Sequence, residues 1–99
     1  MIVYKTRTGV VLTDIAGEYV LVAAKALLGQ CPYVTQLNET SAFLWRLLIS
    51  GASLEQLEDA VAKEYEIEDP VAAHEAIRGF LQQMNDMNYL VTEKTEESE

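Results

Sequence analysis

The sequence predicts an α+β domain in which a three-stranded antiparallel sheet is followed by three helices. Residues 10–37 are rich in Val, Tyr and Thr and are interrupted by turn residues, which is typical of strands. Residues 38–88 instead carry apolar side chains every three or four positions, which is typical of amphipathic helices. The chain has 99 residues, of which 49% are hydrophobic, and this suits a single domain with one core.

The three predicted strands are short and lie close together in the sequence. Residues 10–13 and 19–23 flank a turn in which Gly17 can adopt a positive φ and close a hairpin. Residues 25–30 are predicted to form a loop, and residues 33–37 to form the third strand. Pro32 precedes that strand, and its missing N–H favours an edge position in the sheet.

Each of the three predicted helices begins with a residue that can cap it. Asn38 precedes the first helix, Ser53 and Gln56 have the spacing of a capping box for the second, and Asp69 followed by Pro70 starts the third. A short turn joins the last two helices, as in helix-turn-helix units, so the whole arrangement is winged-helix-like. The expected buried positions are Leu44, Trp45, Leu48, Leu54, Leu57, Val61, Tyr65, Ala73, Ala76, Ile77, Phe80, Leu81, Met84 and Met87.

The domain is expected to span residues 1–92. Asn88 is a plausible end of the third helix, and residues 89–91 are expected to pack back on the core. Residues 93–99 contain no apolar side chain and are expected to form a disordered acidic tail.

The charge balance and the cysteine content exclude several classes of function. Seven Lys and Arg against sixteen Asp and Glu give a formal net charge of −9, which repels nucleic acid and anionic lipid. The single cysteine, Cys31, allows no intramolecular disulfide and suits a reducing compartment. No apolar run approaches the roughly 18 residues that a membrane span needs. We therefore expect a cytoplasmic protein that binds neither nucleic acid nor membrane.

The residues that usually carry catalysis are scarce. His74 is the one histidine, it has no second ligand at metal-binding spacing, and it is expected to face solvent. No basic group lies near Cys31 in sequence to activate the thiol, and the five glycines form no phosphate-binding pattern. We therefore expect no enzyme activity, no cofactor and no metal.

Two features of the helical half remain open to more than one interpretation. Residues 55–69 carry seven acidic side chains and one Lys, which form either a solvated helix face or a contact surface for a basic partner. The third helix presents Ala72, Ala73, Ala76 and Gly79, which either pack in the core or line one wall of a shallow groove.

Several short motifs together resemble the PqqD-like family, whose members are also called RiPP recognition elements. The resemblance covers residues 9–91, and its most specific part runs from Leu37-Asn38-Glu39-Thr40 to Leu44-Trp45 and Leu48. The other matching segments are Gly9-Val10-Val11-Leu12, Gly17-Glu18-Tyr19, Gly51, Ser53-Leu54-Glu55-Gln56-Leu57, Glu64-Tyr65 and Phe80-Leu81.

The resemblance implies a non-catalytic domain that binds the leader segment of a ribosomally made precursor peptide. Such a domain presents the leader to a modifying enzyme, commonly a radical SAM maturase, and the leader adds as a strand beside the third strand. An exposed edge supplies unpaired N–H and C=O groups, and a groove receives alternate side chains. The implied peptide-binding residues are Tyr33, Val34, Thr35, Gln36 and Leu37 on the strand and Ala72, Glu75, Ala76, Gly79, Phe80 and Gln83 on the third helix.

Two other functions fit the same elements. A winged-helix transcriptional regulator would use the third helix for DNA, but that helix brings only Arg78 against Glu75 and Asp86. A non-catalytic subunit that stabilises an enzyme complex would use the acidic second helix, around Glu58 and Asp59, as its contact surface. An exposed strand edge permits a monomer or a homodimer.

Overall fold

The structure is a computed structural model that describes residues 1–27 and 29–94. Within these residues, five strands, three α-helices and one short 3-10 helix form an α+β fold, which confirms the predicted class. In chain order the elements are β1 (Ile2–Thr6), β2 (Val10–Ile15), β3 (Glu18–Ala23), the 3-10 helix (Lys25–Leu27), β4 (Val34–Leu37), α1 (Glu39–Leu48), α2 (Leu54–Glu64), α3 (Pro70–Asp86) and β5 (Leu90–Lys94).

The predicted three-stranded sheet is present, with β3 between β2 and β4. The β2–β3 hairpin turns at Ala16 and Gly17, which have φ values of 54° and 84°. Positive φ at both central residues gives a turn whose twist matches that of the flanking strands. The Gly17 amide also donates to Asp14 Oδ1 at 3.0 Å. The hairpin predicted from Gly17 is thus confirmed.

A second sheet, made of β1 and β5, was not predicted. The two strands pair antiparallel from Ile2 opposite Lys94 to Thr6 opposite Leu90, so the ends of the domain meet. Glu93 and Lys94 therefore belong to a strand, so the predicted boundary between the domain and the tail, at residue 93, lies two residues too early. Residues 95–99, the rest of that expected tail, lie outside the described residues.

All three predicted helix starts are confirmed by hydrogen bonds. Asn38 Oδ1 accepts from the Ser41 amide at 2.7 Å at the start of α1. Ser53 and Gln56 form both bonds of a capping box at the start of α2. Asp69 accepts from the first-turn amides of α3, directly before Pro70. These caps satisfy N–H groups that the first turn of each helix leaves free.

The core lies between the inner face of the three-stranded sheet and the helices. Trp45 of α1 is fully buried and meets the Tyr89 ring edge-on, with 6.2 Å between the ring centroids. Tyr89 lies three residues after the end of α3, so this contact joins the first helix to the segment that follows the last one. The buried apolar set also includes Val10, Leu21, Leu37, Leu44, Leu48, Leu57, Val61, Ile77, Phe80, Leu81, Met84 and Leu90.

None of the helices in the described part of the chain combines the length and the apolar character that crossing a membrane requires.

Candidate functional site

An open cavity of about 710 Å³ lies where α3 passes the start of α1 and the end of α2. Its wall is mostly apolar, and none of its lining residues is charged. Its lining residues are Asn38, Thr40, Ser41, Leu44, Val61, Tyr65, Ile67, Ala73, Ala76, Ile77, Gly79, Phe80 and Gln83. An apolar pocket with a few polar groups at its edge is the usual form of a binding site for an organic ligand or a peptide side chain.

The third helix supplies most of one wall, as the small residues of its sequence suggested. Four of the six residues expected there line the cavity: Ala76, Gly79, Phe80 and Gln83. Phe80 is buried, and the other three are exposed. The structure does not place Ala72 or Glu75 in the lining, although both are exposed on the same helix.

Two walls of this cavity were not predicted from the sequence. Asn38, Thr40 and Ser41 come from the N-terminal end of α1, directly after β4. Tyr65 and Ile67 come from the segment between α2 and α3. Tyr65 and Ile67 are apolar residues in an otherwise acidic stretch, which indicates that they pack against other residues. Which residues they contact depends on how the helices pack.

The strand β4 forms one edge of the three-stranded sheet. It pairs with β3 on one side, from Val34 opposite Val22 to Leu37 opposite Tyr19. Within the described residues, no strand pairs with its other side. Tyr33 lies just before β4, and its carbonyl accepts from the Ala23 amide at 2.9 Å.

The hydrogen-bond register determines which backbone groups of β4 remain available. In an antiparallel pair, residues directly opposite each other alternate between hydrogen-bonded and non-hydrogen-bonded pairs. Because Tyr33 bonds with Ala23, Thr35 and Leu37 also direct their backbone groups toward β3. Val34 and Gln36 consequently direct their N–H and C=O groups away from β3. The open edge thus offers two donors and two acceptors to an added strand.

The side chains of β4 alternate between the two faces of the sheet. Leu37 is buried and Thr35 is half-buried on the core face, whereas Val34 and Gln36 are exposed on the outer face. Tyr33, expected at the site, is also exposed. The predicted strand residues therefore form one continuous edge, with side chains on both faces.

Tyr89 attaches the beginning of β4 to the end of α3. Its hydroxyl donates to the Pro32 carbonyl at 3.0 Å and lies 2.6 Å from Thr35 Oγ1, which donates to it in turn. Asn88 Nδ2 donates to the Gln30 carbonyl at 2.9 Å in the same region. At the other end of β4, Asn38 and α3 both line the cavity. None of residues 33–37 lines the cavity, so the predicted strand residues approach it only through Asn38, which follows the last residue of β4.

His74 does not face solvent freely as expected. Its Nδ1 contacts a Glu58 carboxylate oxygen, and the histidine side chain remains 41% exposed. The contact joins α3 to α2 outside the cavity lining. Among the described residues, no group of three or more His, Cys, Asp or Glu side chains is placed to hold a metal ion.

Comparisons with known proteins agree with this geometry. The family described as coenzyme PQQ synthesis protein D (PqqD) matches residues 9–90. One similar solved structure is "TbiB1 in Complex with the TbiA(beta) Leader Peptide", with a TM-score of 0.70 and 25% sequence identity over 94% of this chain and 99% of that chain. No match was found among curated protein sequences.

A second similar structure is "Lasso peptide synthetase B1 complexed with the leader peptide". Its TM-score is 0.69 and its identity 18%, over 89% of this chain and 96% of that chain, so it supports the fold. The family match covers most of the chain, including β4, the three helices and every cavity-lining residue. This chain belongs to the PqqD family.

Proposed function

We propose that this protein binds the leader segment of a ribosomally synthesised precursor peptide and presents it to a peptide-modifying enzyme, without catalysing a reaction itself. The observation that carries the proposal is an open β4 edge whose last residue is followed by Asn38, which lines an apolar cavity. An extended peptide would satisfy the free N–H and C=O groups of Val34 and Gln36. Its alternate side chains would enter the cavity between α3 and the start of α1.

Three further parts of the proposal concern the partners and the setting. The solved structure most similar in sequence among those described above contains a leader peptide, which supports a peptide ligand for this chain. Such domains commonly present their leader to a radical SAM maturase, which is our first candidate partner. We place the activity in the cytoplasm, with a monomer or a homodimer as the functional unit.

The first experiment is an amide NMR titration of the 15N-labelled protein. The ligand is the N-terminal half of a short peptide encoded beside the gene for this protein. We expect saturable shifts at residues 33–37 and along the cavity face of α3, around Ala76, Gly79 and Phe80. Saturable shifts confined to other surfaces would contradict the site, and a folded protein without any shifts would contradict leader capture of that peptide.

A proline substitution tests strand addition at a single hydrogen bond. The Val34 amide faces the open edge, so Val34→Pro removes a donor to the leader while leaving the ladder to β3 intact. We expect leader affinity to fall on the order of tenfold, because one backbone hydrogen bond is lost and a carbonyl of the leader stays unpaired. Isothermal titration calorimetry measures this effect.

Val34→Ala is the matched control, because it shortens the same side chain and keeps the amide. We expect it to retain most of the affinity, and circular dichroism verifies that both variants are folded. Equal affinities of Val34→Pro and the wild-type protein would show that the leader does not pair with β4.

A further inference from the structure

A second, smaller cleft of about 460 Å³ lies between the β1–β2 connection and the C-terminal half of α1. It shares no lining residue with the cavity described above. Lys5, Arg7 and Arg46 line it, which are three of the seven Lys and Arg residues of the chain. Among the described residues, no Asp or Glu side chain belongs to its lining. We call this site the basic cleft.

Both arginines of the basic cleft are held in place by neutral groups. Arg7 is half-buried, and its Nε and Nη2 donate to the backbone and side-chain oxygens of Asn88, each at 2.8 Å. The guanidinium of Arg46 lies over the Tyr19 ring, 5.3 Å from the ring centroid. Because neither contact neutralises a charge, two positioned guanidinium groups keep their charge available to an anion.

The elements that form the basic cleft bring only two carboxylates with them. β1 has none, Asp14 lies near the end of β2, and Glu39 lies in the first turn of α1. Asp14 accepts a hydrogen bond from the Gly17 amide in the hairpin. Glu39 lies at the opposite end of α1 from Arg46. Neither carboxylate therefore compensates the charge of the cleft.

Two carboxylates on other strands also stay outside the basic cleft. Glu18 on β3 accepts a hydrogen bond from Gln36 Nε2 at 3.1 Å. Glu93 on β5 lies opposite Val3, and thus diagonal to Lys5, without lining the cleft. In the part of the chain that the structure describes, the three cations of the cleft form no ion pair. The cleft is therefore a positive site on a chain whose net charge is −9.

A buried hydrogen-bond donor without a partner belongs to the same cleft. Trp45 lines it, and this side chain is fully buried. The indole Nε1–H finds no acceptor among the described residues. Buried N–H groups in native proteins are nearly always paired, because an unpaired donor has lost its water without compensation. A ligand that brings an acceptor into the cleft would provide the missing hydrogen bond.

The apolar part of the lining indicates what carries this acceptor. Val11 and Ile49 line the cleft and are 58% and 53% exposed. A free inorganic anion would leave both side chains in water, whereas an acidic side chain within an apolar segment would cover them. Arginine beside apolar side chains is also typical of protein–protein interfaces. An extended polyanion is disfavoured, because the net charge of the protein repels it.

From these observations we propose that the basic cleft is a second binding site, which takes a carboxylate carried by an acidic and partly apolar segment of a partner protein. The two guanidinium groups and Lys5 hold the carboxylate, and the Trp45 Nε1–H donates to the same segment. This site goes beyond leader capture and does not depend on it. The cleft and the leader cavity lie at opposite halves of α1, so both can be occupied at once.

The experiment titrates the 15N-labelled protein with two pentapeptides that differ by one carboxylate. Both are acetylated and amidated, with the sequences Gly-Leu-Glu-Leu-Gly and Gly-Leu-Gln-Leu-Gly, and sodium phosphate at matched ionic strength is the third probe. Trp45 is the one tryptophan of the chain, so its indole N–H gives a single resonance that reports on the cleft. We expect the acidic peptide to shift this resonance downfield, and the amides of Thr8 and Gly9 with it, in a saturable way. The neutral peptide and phosphate should leave these resonances nearly unchanged.

Two variants show whether the charges of the cleft cause the effect. The cleft variant carries Lys5→Gln and Arg46→Gln, and Arg7 is left unchanged because it holds the segment after α3. The control variant, with Lys63→Gln and Arg78→Gln, loses the same charge from exposed positions outside the cleft. Circular dichroism verifies that both are folded. We expect the acidic peptide to bind the cleft variant on the order of fivefold more weakly, and the control variant as tightly as the wild-type protein.

Several results would overturn the proposal. One is an indole resonance that the acidic peptide leaves unchanged or that the neutral peptide shifts equally, and another is an equal loss of affinity in the control variant. An equal response to phosphate would show a site for small anions and would overturn its assignment to a partner segment. Leader capture has its own reporters, the amides of Val34 and Phe80, so the failure of either site is distinguishable from the failure of the other.

Discussion

Gly79 lies on the exposed side of α3, where alanine would favour the helix by roughly 1 kcal/mol. A Cβ atom added there would meet nothing within 4 Å, and its φ is not positive, so the fold itself does not require glycine. The residue lines the cavity, however, and faces the space that a bound peptide would occupy. A close approach of the peptide backbone to α3 would explain the glycine.

Gly79→Ala should therefore stabilise the free protein and weaken leader binding. We expect the free energy of unfolding to rise by roughly 0.5–1 kcal/mol, because alanine restricts the unfolded chain. Thermal denaturation followed by circular dichroism checks the stability, and calorimetric titration checks the affinity. A stabilised variant with unchanged affinity would show that the peptide backbone does not pass over Gly79.

On α3, the residues predicted to face the peptide and the residues that line the cavity lie next to each other around the helix. Ala72 and Glu75 were expected in the wall, whereas Ala73 and Ile77 are the residues that contact the cavity. Each residue turns a helix by about 100°, so the pattern of apolar side chains identifies the buried face but not the edge of that face. The peptide-binding roles of all these residues remain predictions.

At the scale of elements, the position of β4 depends on residues that follow α3. Tyr89 is fully buried, and its hydroxyl joins Thr35 and Pro32 to the end of the helix. Arg7 adds a second connection, since its Nε donates to the Asn88 carbonyl at 2.8 Å. These contacts join residues more than 50 positions apart in the chain, so no local pattern in the sequence predicts them.

Tyr89→Phe should loosen this connection while keeping the ring in place. We expect a loss of about 1–2 kcal/mol in the free energy of unfolding, because two hydrogen bonds disappear and the Pro32 carbonyl loses its donor. Leader affinity should also fall, since β4 is less firmly positioned. Urea denaturation and calorimetric titration measure the two effects.

Ser53→Ala is the control for Tyr89→Phe, because it removes a helix cap on α2 and costs a similar amount of stability, about 1 kcal/mol. It lies outside the cavity lining. If both variants reduce affinity equally, the effect of Tyr89→Phe is general destabilisation, and Tyr89 has no particular part in positioning β4.

At the scale of the whole molecule, the net charge of −9 distinguishes peptide capture from DNA binding, which the winged-helix-like order of elements would otherwise allow. Arg78 is the single Lys or Arg of α3, and it lines a cleft with Tyr4 and Leu54. A recognition helix normally directs several basic side chains toward phosphates.

We expect negligible retention of the protein on a heparin column at 50 mM NaCl, because its overall charge repels a polyanion. Lysozyme, a basic protein of similar size, serves as the positive control for the column. Elution of this protein only above about 0.3 M NaCl would indicate a polyanion-binding surface and would support the regulator hypothesis.

The sequence by itself determined the features that depend on neighbouring residues. The caps at Asn38, Ser53 and Asp69, the hairpin at Gly17 and the apolar faces of the helices follow from local backbone chemistry and periodicity. The short motifs that resemble the PqqD-like family also indicated the family from the sequence alone. Tertiary structure decided the β1–β5 sheet, the alternation that leaves Val34 facing the open edge, and the cavity walls from α1 and the α2–α3 segment. These features arise from contacts between distant segments, whose geometry is set by packing, and packing is a property of the whole core.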